Sequence, residues 1–204
     1  MKSKTYYNLI LDQSGSMSSS RIETLNAVNA QIESCRQIAS THPNQELILS
    51  LTLFNNNAHR LFSQKSPNQA PLLTQSQYEP NGSTALLDAI GMQINLMKEV
   101  IKSGDDVVMV ILTDGQENAS QYFNFQQISN SINELKASER WTFSFMGADI
   151  DAWDIASRLN IDRDEVVSFN KKDMSKQMNI VSNDLSEYMN LKSEGKSKRG
   201  FFKK

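Results

Sequence analysis

The chain has 204 residues, of which 39% are hydrophobic and 22% charged, and its formal net charge is −2. This length suits one well-buried domain, and the composition is that of a globular protein, which excludes disordered and fibrous chains. The nearly balanced charge argues against a general nucleic-acid binder, because such proteins carry a strong basic excess. No apolar run reaches the roughly eighteen residues that suggest a membrane-spanning helix.

Cysteine usage and the N-terminal sequence favour a cytoplasmic protein. Cys35 is the single cysteine, so no disulfide can form within the chain, which is typical of a reducing compartment. Its place among the apolar residues of a predicted helix indicates a core residue rather than a reactive thiol. The few apolar residues before Asp12 are too short a run for the core of a signal peptide.

Apolar periodicity predicts six strands and five helices that mostly alternate. In chain order they are strand 6–11, helix 22–38, strand 47–54, strand 58–62, helix 84–101, strand 107–113, helix 125–135, strand 141–146, helix 152–159, strand 165–169 and helix 173–191. This alternation predicts an α/β fold: a Rossmann-like, doubly wound, mainly parallel six-stranded sheet with helices on both faces.

Three local features refine this picture. The run 107–113 is the most continuous apolar stretch and predicts a central parallel strand. Asn55-Asn56-Asn57 predicts a turn, so that 58–62 returns as an antiparallel edge strand. The polar connection 63–83 is unusually long, which leaves a functional loop and a disordered one as equal alternatives.

The C-terminal segment differs in composition from the rest of the chain. Residues 192–204 contain six basic residues and one acidic residue, a net charge of +5, and show no helical period. Such a composition predicts a flexible basic tail. We therefore expect a single domain over 1–191 followed by the tail 192–204.

Three polar clusters stand at the ends of predicted elements. Residues 12–16 follow the first strand, 82–84 open the second helix, and 114–115 follow the central strand. In an open parallel sheet, ligands bind beyond the carboxyl ends of the strands. If the strands that precede Asp12 and Asp114 are neighbours, one point is surrounded by two carboxylates and three hydroxyls, those of Asp12, Asp114, Ser14, Ser16 and Thr84. Oxygen ligands of this kind suit Mg²⁺, Mn²⁺ or Ca²⁺, whereas zinc prefers nitrogen and sulfur.

These clusters resemble the metal-ion-dependent adhesion site (MIDAS) of von Willebrand factor A (vWA) domains. Asp12-Gln13-Ser14-Gly15-Ser16-Met17 is similar to its D-x-S-G-S-M signature. The segment 82–90 resembles the second part of that site, and Leu112-Thr113-Asp114-Gly115 resembles the third. Order and spacing match over roughly residues 5–190, and three segments in register are far more specific than one.

The resemblance implies a vWA fold of a small bacterial or phage-type cytoplasmic member, and a metal-dependent protein-binding function. Ser14, Ser16 and Thr84 would bind the metal through their hydroxyls, and Asp12 and Asp114 would bind it directly or through water. The metal, Mg²⁺ by expectation, would then accept an Asp or Glu side chain from a partner protein. By analogy with relatives, that partner would be an AAA+ ATPase or a component of an assembly or stress-operon complex.

Two alternatives to this binding function remain open. A metal-dependent phosphoester hydrolase would need a general base in addition to the metal. His42 and His59 lie away from the predicted site, and no phosphate-binding loop of the P-loop type occurs, so we do not expect an enzyme. A metal-free scaffold would instead use the basic tail, in which Phe201-Phe202 is flanked by lysines.

Other polar residues near the site admit simpler explanations. Ser18, Ser19 or Ser20 is suited to cap the first helix without any metal. Asp88 lies one turn beyond Thr84 and is expected to be structural. Loop residues such as Glu117, Asn118 and Asp149 are assigned no role in binding.

Overall fold

A computed structural model describes residues 3–196 and 201–202. In this part of the chain, the elements are β1 (Lys4–Asp12), α1 (Arg21–Thr41), β2 (Glu46–Phe54), β3 (Ala58–Lys65), α2 (Leu86–Val100), β4 (Asp106–Thr113), α3 (Phe125–Lys136), β5 (Trp141–Ala148), α4 (Ala152–Arg158), β6 (Val166–Phe169) and α5 (Met174–Ser193). Short segments of 3-10 helix lie at Gly15–Ser20, Pro67–Gln69, Arg163–Glu165 and Lys171–Asp173.

The strands form one six-stranded sheet in the order β3-β2-β1-β4-β5-β6. The pairs are parallel except for β2 and β3, which are antiparallel. The predicted fold class is therefore confirmed, including its antiparallel edge strand. Leu11 of β1 pairs with Leu53 of β2 and with Leu112 of β4, so β1 and β4 are neighbours that end at the same edge of the sheet.

Each face of the sheet carries its own apolar core. Tyr7, Leu9 and Leu11 of β1 pack in the cluster formed with α1 and α5. Tyr6 and Ile10, which alternate with them, pack in the cluster formed with α2, α3 and α4. Because β4 is covered on both faces, all eight of its residues are buried, and the six between Asp106 and Thr113 are apolar.

The connection 63–83 is ordered along α1. Side chains of this helix bind its backbone: Asn29 donates to the carbonyl of Leu73 (2.9 Å) and accepts from its N–H (2.7 Å). Arg36 donates in the same way to the carbonyls of Pro67 and Ala70. Of the two alternatives that the sequence left open, disorder does not apply to this segment.

The C-terminal segment departs from expectation. Helix α5 continues to Ser193, past the predicted boundary at residue 191. Phe201 and Phe202 are only 0% and 7% exposed and belong to the core on the α1 and α5 face. These two residues do not belong to a mobile tail, because burial of their rings removes a large apolar area from water. The rest of the predicted tail, residues 197–200 and 203–204, lies outside the described residues.

None of the helices in the described part of the chain combines the length and the apolar character that crossing a membrane requires.

Candidate metal centre

Asp12 lies at the end of β1 with its side chain fully buried. Its Oδ1 accepts a hydrogen bond from the backbone N–H of Ser14 (2.6 Å), and its Oδ2 accepts one from the hydroxyl of Thr113. The pKa of this carboxyl group is raised, chiefly by burial and also by the nearby charge of Asp114. Hydrogen bonds from Thr113 and Ser14 oppose this rise. Both carboxylate oxygens are thus oriented by the protein at the junction of β1 and β4.

A chain of oxygens connects the first cluster to the third. The hydroxyl oxygens of Ser14 and Ser16 lie 3.0 Å apart. Ser16 donates to Oδ1 of Asp114 over 2.6 Å, although 98 positions separate the two residues. Asp114 directly follows β4 and is 7% exposed. The parallel pairing of β1 with β4 therefore brings the two predicted carboxylates and the two serines to one place.

Thr84 reaches the same place from the loop before α2. A methyl group added at Gly115 would lie 3.1 Å from Oγ1 of Thr84 and 3.7 Å from Oγ of Ser16. Both hydroxyls therefore lie close to Gly115, and the Thr84 hydroxyl leaves little room for a side chain there. Asn118 fixes the backbone of Thr84, because its side-chain oxygen accepts from the Thr84 N–H (2.8 Å) and its own N–H donates to the Thr84 carbonyl (3.1 Å).

Backbone hydrogen bonds hold the loops of the site together. The N–H of Gly15 donates to the carbonyl of Gly82 (3.0 Å), and the N–H of Asn81 donates to the carbonyl of Gln13 (2.9 Å). Gly82 has a φ of +73°, and a Cβ there would lie 2.7 Å from Oδ1 of Asn56. Only glycine adopts this conformation readily, and here it also leaves room for the neighbouring side chain.

One lysine points into the cluster. Lys171, just after β6, places its ammonium nitrogen 2.5 Å from Oδ2 of Asp114 and donates to the carbonyl of Ser16 (3.1 Å). The side chains of Lys171 and Asp114 are 17% and 0% exposed, so this ion pair is largely shielded from water. Three charged groups, Asp12, Asp114 and Lys171, therefore meet at this edge of the sheet.

The donor set fits a hard divalent cation. Within the described residues, no group of three or more His, Cys, Asp or Glu side chains is placed to hold a metal ion. The candidate centre combines two carboxylates with three hydroxyls, all of them oxygen donors. Mg²⁺, Mn²⁺ and Ca²⁺ favour such oxygens. The buried, preoriented carboxylate of Asp12 supplies the negative charge that would retain the cation.

Comparison with known proteins places this chain in a family. A family model described as the von Willebrand factor type A domain matches residues 8–116, just over half of the chain. The chain belongs to this family. A search of curated proteins found no significant match to this vWA chain.

Several solved structures have a similar fold and are distant in sequence. The vWF domain of the type V pili tip protein Mfa5 from Porphyromonas gingivalis has 12% identity and a TM-score of 0.71, with 98% of each chain covered. Proximal thread matrix protein 1 from the mussel byssus, with a zinc-occupied MIDAS motif, has 14% identity and a TM-score of 0.60, covering 91% of this chain and 46% of that one. The ArnB paralog VWA2 from Sulfolobus acidocaldarius has 18% identity and a TM-score of 0.57, covering 87% and 45%. At such identities these structures establish the vWA fold alone.

The structure brings together all five residues that the sequence predicted as metal ligands, which are Asp12, Ser14, Ser16, Thr84 and Asp114. Thr84 lies just before α2, because that helix begins at Leu86 and not at residue 84 as predicted.

Two acidic residues near the vWA site have structural partners. Asp88 accepts hydrogen bonds from three successive backbone N–H groups, those of Gln121, Tyr122 and Phe123. Glu117 accepts from the N–H of Leu87 (3.0 Å), in the first turn of α2. Both carboxylates therefore hold the loop between β4 and α3 against α2.

Sequence reasoning missed three residues that touch the site. Thr113 was placed in the central strand and in the third segment of the motif but was given no role at the site, yet its hydroxyl orients Asp12. Asn118 was assigned no role, yet it fixes Thr84. Lys171 gave no signal at all, since an isolated lysine after a strand normally faces solvent.

Proposed function

We propose that this vWA domain is a metal-dependent protein-binding module, in which a divalent cation, Mg²⁺ by preference, accepts a carboxylate from a partner protein. The observation that carries the proposal is the convergence of Asp12, Asp114 and three hydroxyls at the carboxyl ends of β1 and β4. All five are oxygen donors, and they come from three segments that are far apart in the sequence.

The balance of charged and neutral donors supports binding of an acidic group. Ser14, Ser16 and Thr84 would contribute oxygen ligands without negative charge. Only the two carboxylates would then offset the charge of a divalent cation. When bound, such a cation offers a Lewis-acid position that an external carboxylate can occupy. The hydrogen bonds to both oxygens of Asp12 keep the protein's own donors in place while the partner approaches.

The histidines support a binding role over hydrolysis. His42 caps the C-terminal end of α1, where its ring nitrogens lie 2.8 Å from the Ile38 carbonyl and 2.8 Å from Oδ1 of Asn190. It lies just before β2 starts, at the opposite end of the sheet from Asp12. His59 lies on the edge strand β3 beside Leu53. Neither ring is placed to serve as a general base at the site, so we propose that the domain is not an enzyme.

The buried phenylalanines weigh against the metal-free alternative. A scaffold that used its tail on a membrane or RNA would present Phe201 and Phe202 to that surface. Here both rings are buried, and the Phe201 N–H donates to Oε2 of Glu165 over 2.9 Å. We accordingly propose a cytoplasmic protein partner that presents Asp or Glu, such as an AAA+ ATPase or a component of an assembly or stress-operon complex, and no specific nucleic acid.

The test compares the chelator-treated protein with and without added metal. At ten times its dissociation constant, Mg²⁺ should stabilise the fold by about 1.4 kcal/mol, measured by thermal melting and checked by titration calorimetry. Asp114→Asn should abolish the effect. Asp154→Asn, which changes an exposed carboxylate in α4, should retain it.

Four results would overturn the proposal. One is a melting curve that Mg²⁺, Mn²⁺ and Ca²⁺ all leave unchanged. Another is equal metal binding by the Asp114→Asn variant and the parent. The third is steady hydrolysis of a phosphoester panel that is lost in Asp114→Asn, which would favour the enzyme instead. Partner capture that is the same in Mg²⁺ and in EDTA would limit the function to metal-free binding.

A further inference from the structure

Lys171 is held in the site both by its backbone and by the ammonium group at the end of its side chain. Its backbone N–H donates to Oδ1 of Asp149 over 3.0 Å, in the loop after β5. Its ammonium group contacts Oδ2 of Asp114 and the carbonyl of Ser16. Because the base and the tip of this long side chain are both bound, its direction into the cluster is set by the fold.

The lysine occupies the oxygen that a metal would need. Oδ1 of Asp114 already accepts from Ser16, and Oδ2 is paired with Lys171. Both oxygens of this carboxylate are therefore engaged by the chain itself. A divalent cation that bound Asp114 would stand a few ångströms from the ammonium group, and the two positive charges would repel each other strongly in this shielded place.

We propose that Lys171 is a built-in competitor of the divalent cation: it neutralises Asp114 in the metal-free protein and must release it when the metal binds. This inference rests on the proposed metal-binding function and adds to it a residue that sets the metal affinity. The released ammonium group remains tethered at the rim of the site, where its charge favours the same acidic partner that the metal binds. Binding of the metal and binding of the partner are thereby coupled through the Lys171 side chain.

The competition predicts that removing the charge tightens metal binding. Lys171→Met keeps the length and apolar stem of the side chain and should raise the affinity for Mn²⁺ about ten- to hundredfold, the range expected for loss of one shielded ionic contact. Lys172→Met is the matched control, because the neighbouring Lys172 is exposed. Binding of Mn²⁺ alone is measured by electron paramagnetic resonance titration.

A second measurement separates competition from a general loss of structure. In EDTA, Lys171→Met should melt at a lower temperature than Lys172→Met, because Asp114 then lacks a counter-charge. Added Mn²⁺ should remove this difference. Lys171→Gln removes the charge but keeps a polar group that can donate a hydrogen bond, so it provides a second neutral variant in which the affinity for Mn²⁺ should also rise. Lys171→Arg keeps the charge and should retain the weaker affinity of the parent.

The outcomes distinguish this inference from the function on which it rests. If the parent binds Mn²⁺ and both neutral variants bind it equally well, the competition is wrong and the proposed function stands. If the parent does not bind and the neutral variants do, Lys171 is a competitor, but the natural chain works without metal. If no variant binds, both ideas are wrong.

Discussion

Tyr78 offers a direct test of how the long connection 63–83 supports the site. Its ring is fully buried, and its hydroxyl donates to the backbone carbonyl of Asp12 over 2.9 Å. Burial raises the pKa of Tyr78, so the phenol stays protonated and available as a donor. Tyr78→Phe removes this hydroxyl and leaves the ring in place.

The expected loss follows from the hydrogen bond alone. A net intramolecular hydrogen bond contributes about 0.5–1.5 kcal/mol, and a buried acceptor that loses a partner adds to the cost. Tyr78→Phe should therefore lower the free energy of unfolding by about 1–2 kcal/mol. For a domain of this size, that corresponds to a fall in melting temperature of roughly 2–8 °C.

Urea denaturation followed by circular dichroism measures this loss. The slope of the free energy of unfolding against urea concentration should stay unchanged if the variant unfolds in the same way. Tyr122→Phe is the control, since Tyr122 is 77% exposed, and its effect should stay within about 0.5 kcal/mol. Equal stabilities for the two variants would show that the Tyr78 hydroxyl does not secure the end of β1.

Two further predictions concern other parts of the fold. Burial raises the pKa of Glu165 from 4.5 to about 7. As the pH rises between these values, Glu165 ionises in the unfolded chain before it does so in the folded protein. The folded state therefore loses about 2–3 kcal/mol of stability over this range. Glu165→Gln should remove this loss, so urea denaturation at pH 5 and pH 8 should show its advantage over the parent only at pH 8. Gly91→Ala should destabilise the domain by about 1–3 kcal/mol, because a Cβ there would lie 2.6 Å from the ring of Phe123; thermal melting measures this.

Each of these predictions has a result that contradicts it. A difference between parent and Glu165→Gln that is constant with pH would mean that this carboxyl group ionises normally in the folded protein. A Gly91→Ala variant as stable as the parent would mean that Phe123 can move aside, and that its packing on α2 does not hold the loop after β4.

The strand ends were predictable because a buried carboxylate needs hydrogen-bond or ionic partners. The middle of a strand covered on both faces seldom offers such partners, so Asp12 and Asp114 mark where the apolar runs of β1 and β4 end. Parallel pairing then places both at one edge. The start of α2 was less clear, because Thr84 is also a favourable helix-capping residue, and only the structure shows the helix beginning at Leu86.

The features that sequence reasoning missed depend on contacts between distant segments. Lys171 meets Asp114 only because β4 and β6 both pair in parallel with β5 and so end at the same edge of the sheet. Nothing in the sequence around Lys171 signals that contact. Phe201 and Phe202 stand in a Gly, Ser and Lys-rich segment without periodicity, so their burial against α5 has no local signature. Local patterns report which face of an element is buried, but they carry no information on a side chain that packs alone.

The bonds between Gly15 and Gly82, and between Gln13 and Asn81, join main-chain atoms only. Main-chain donors and acceptors are the same in every amino acid except proline, so these links survive almost any replacement of the side chains around them. The exposed side chains of these loops can therefore vary between relatives, while the backbone keeps the segments that carry Ser14, Ser16 and Thr84 in the same relative position.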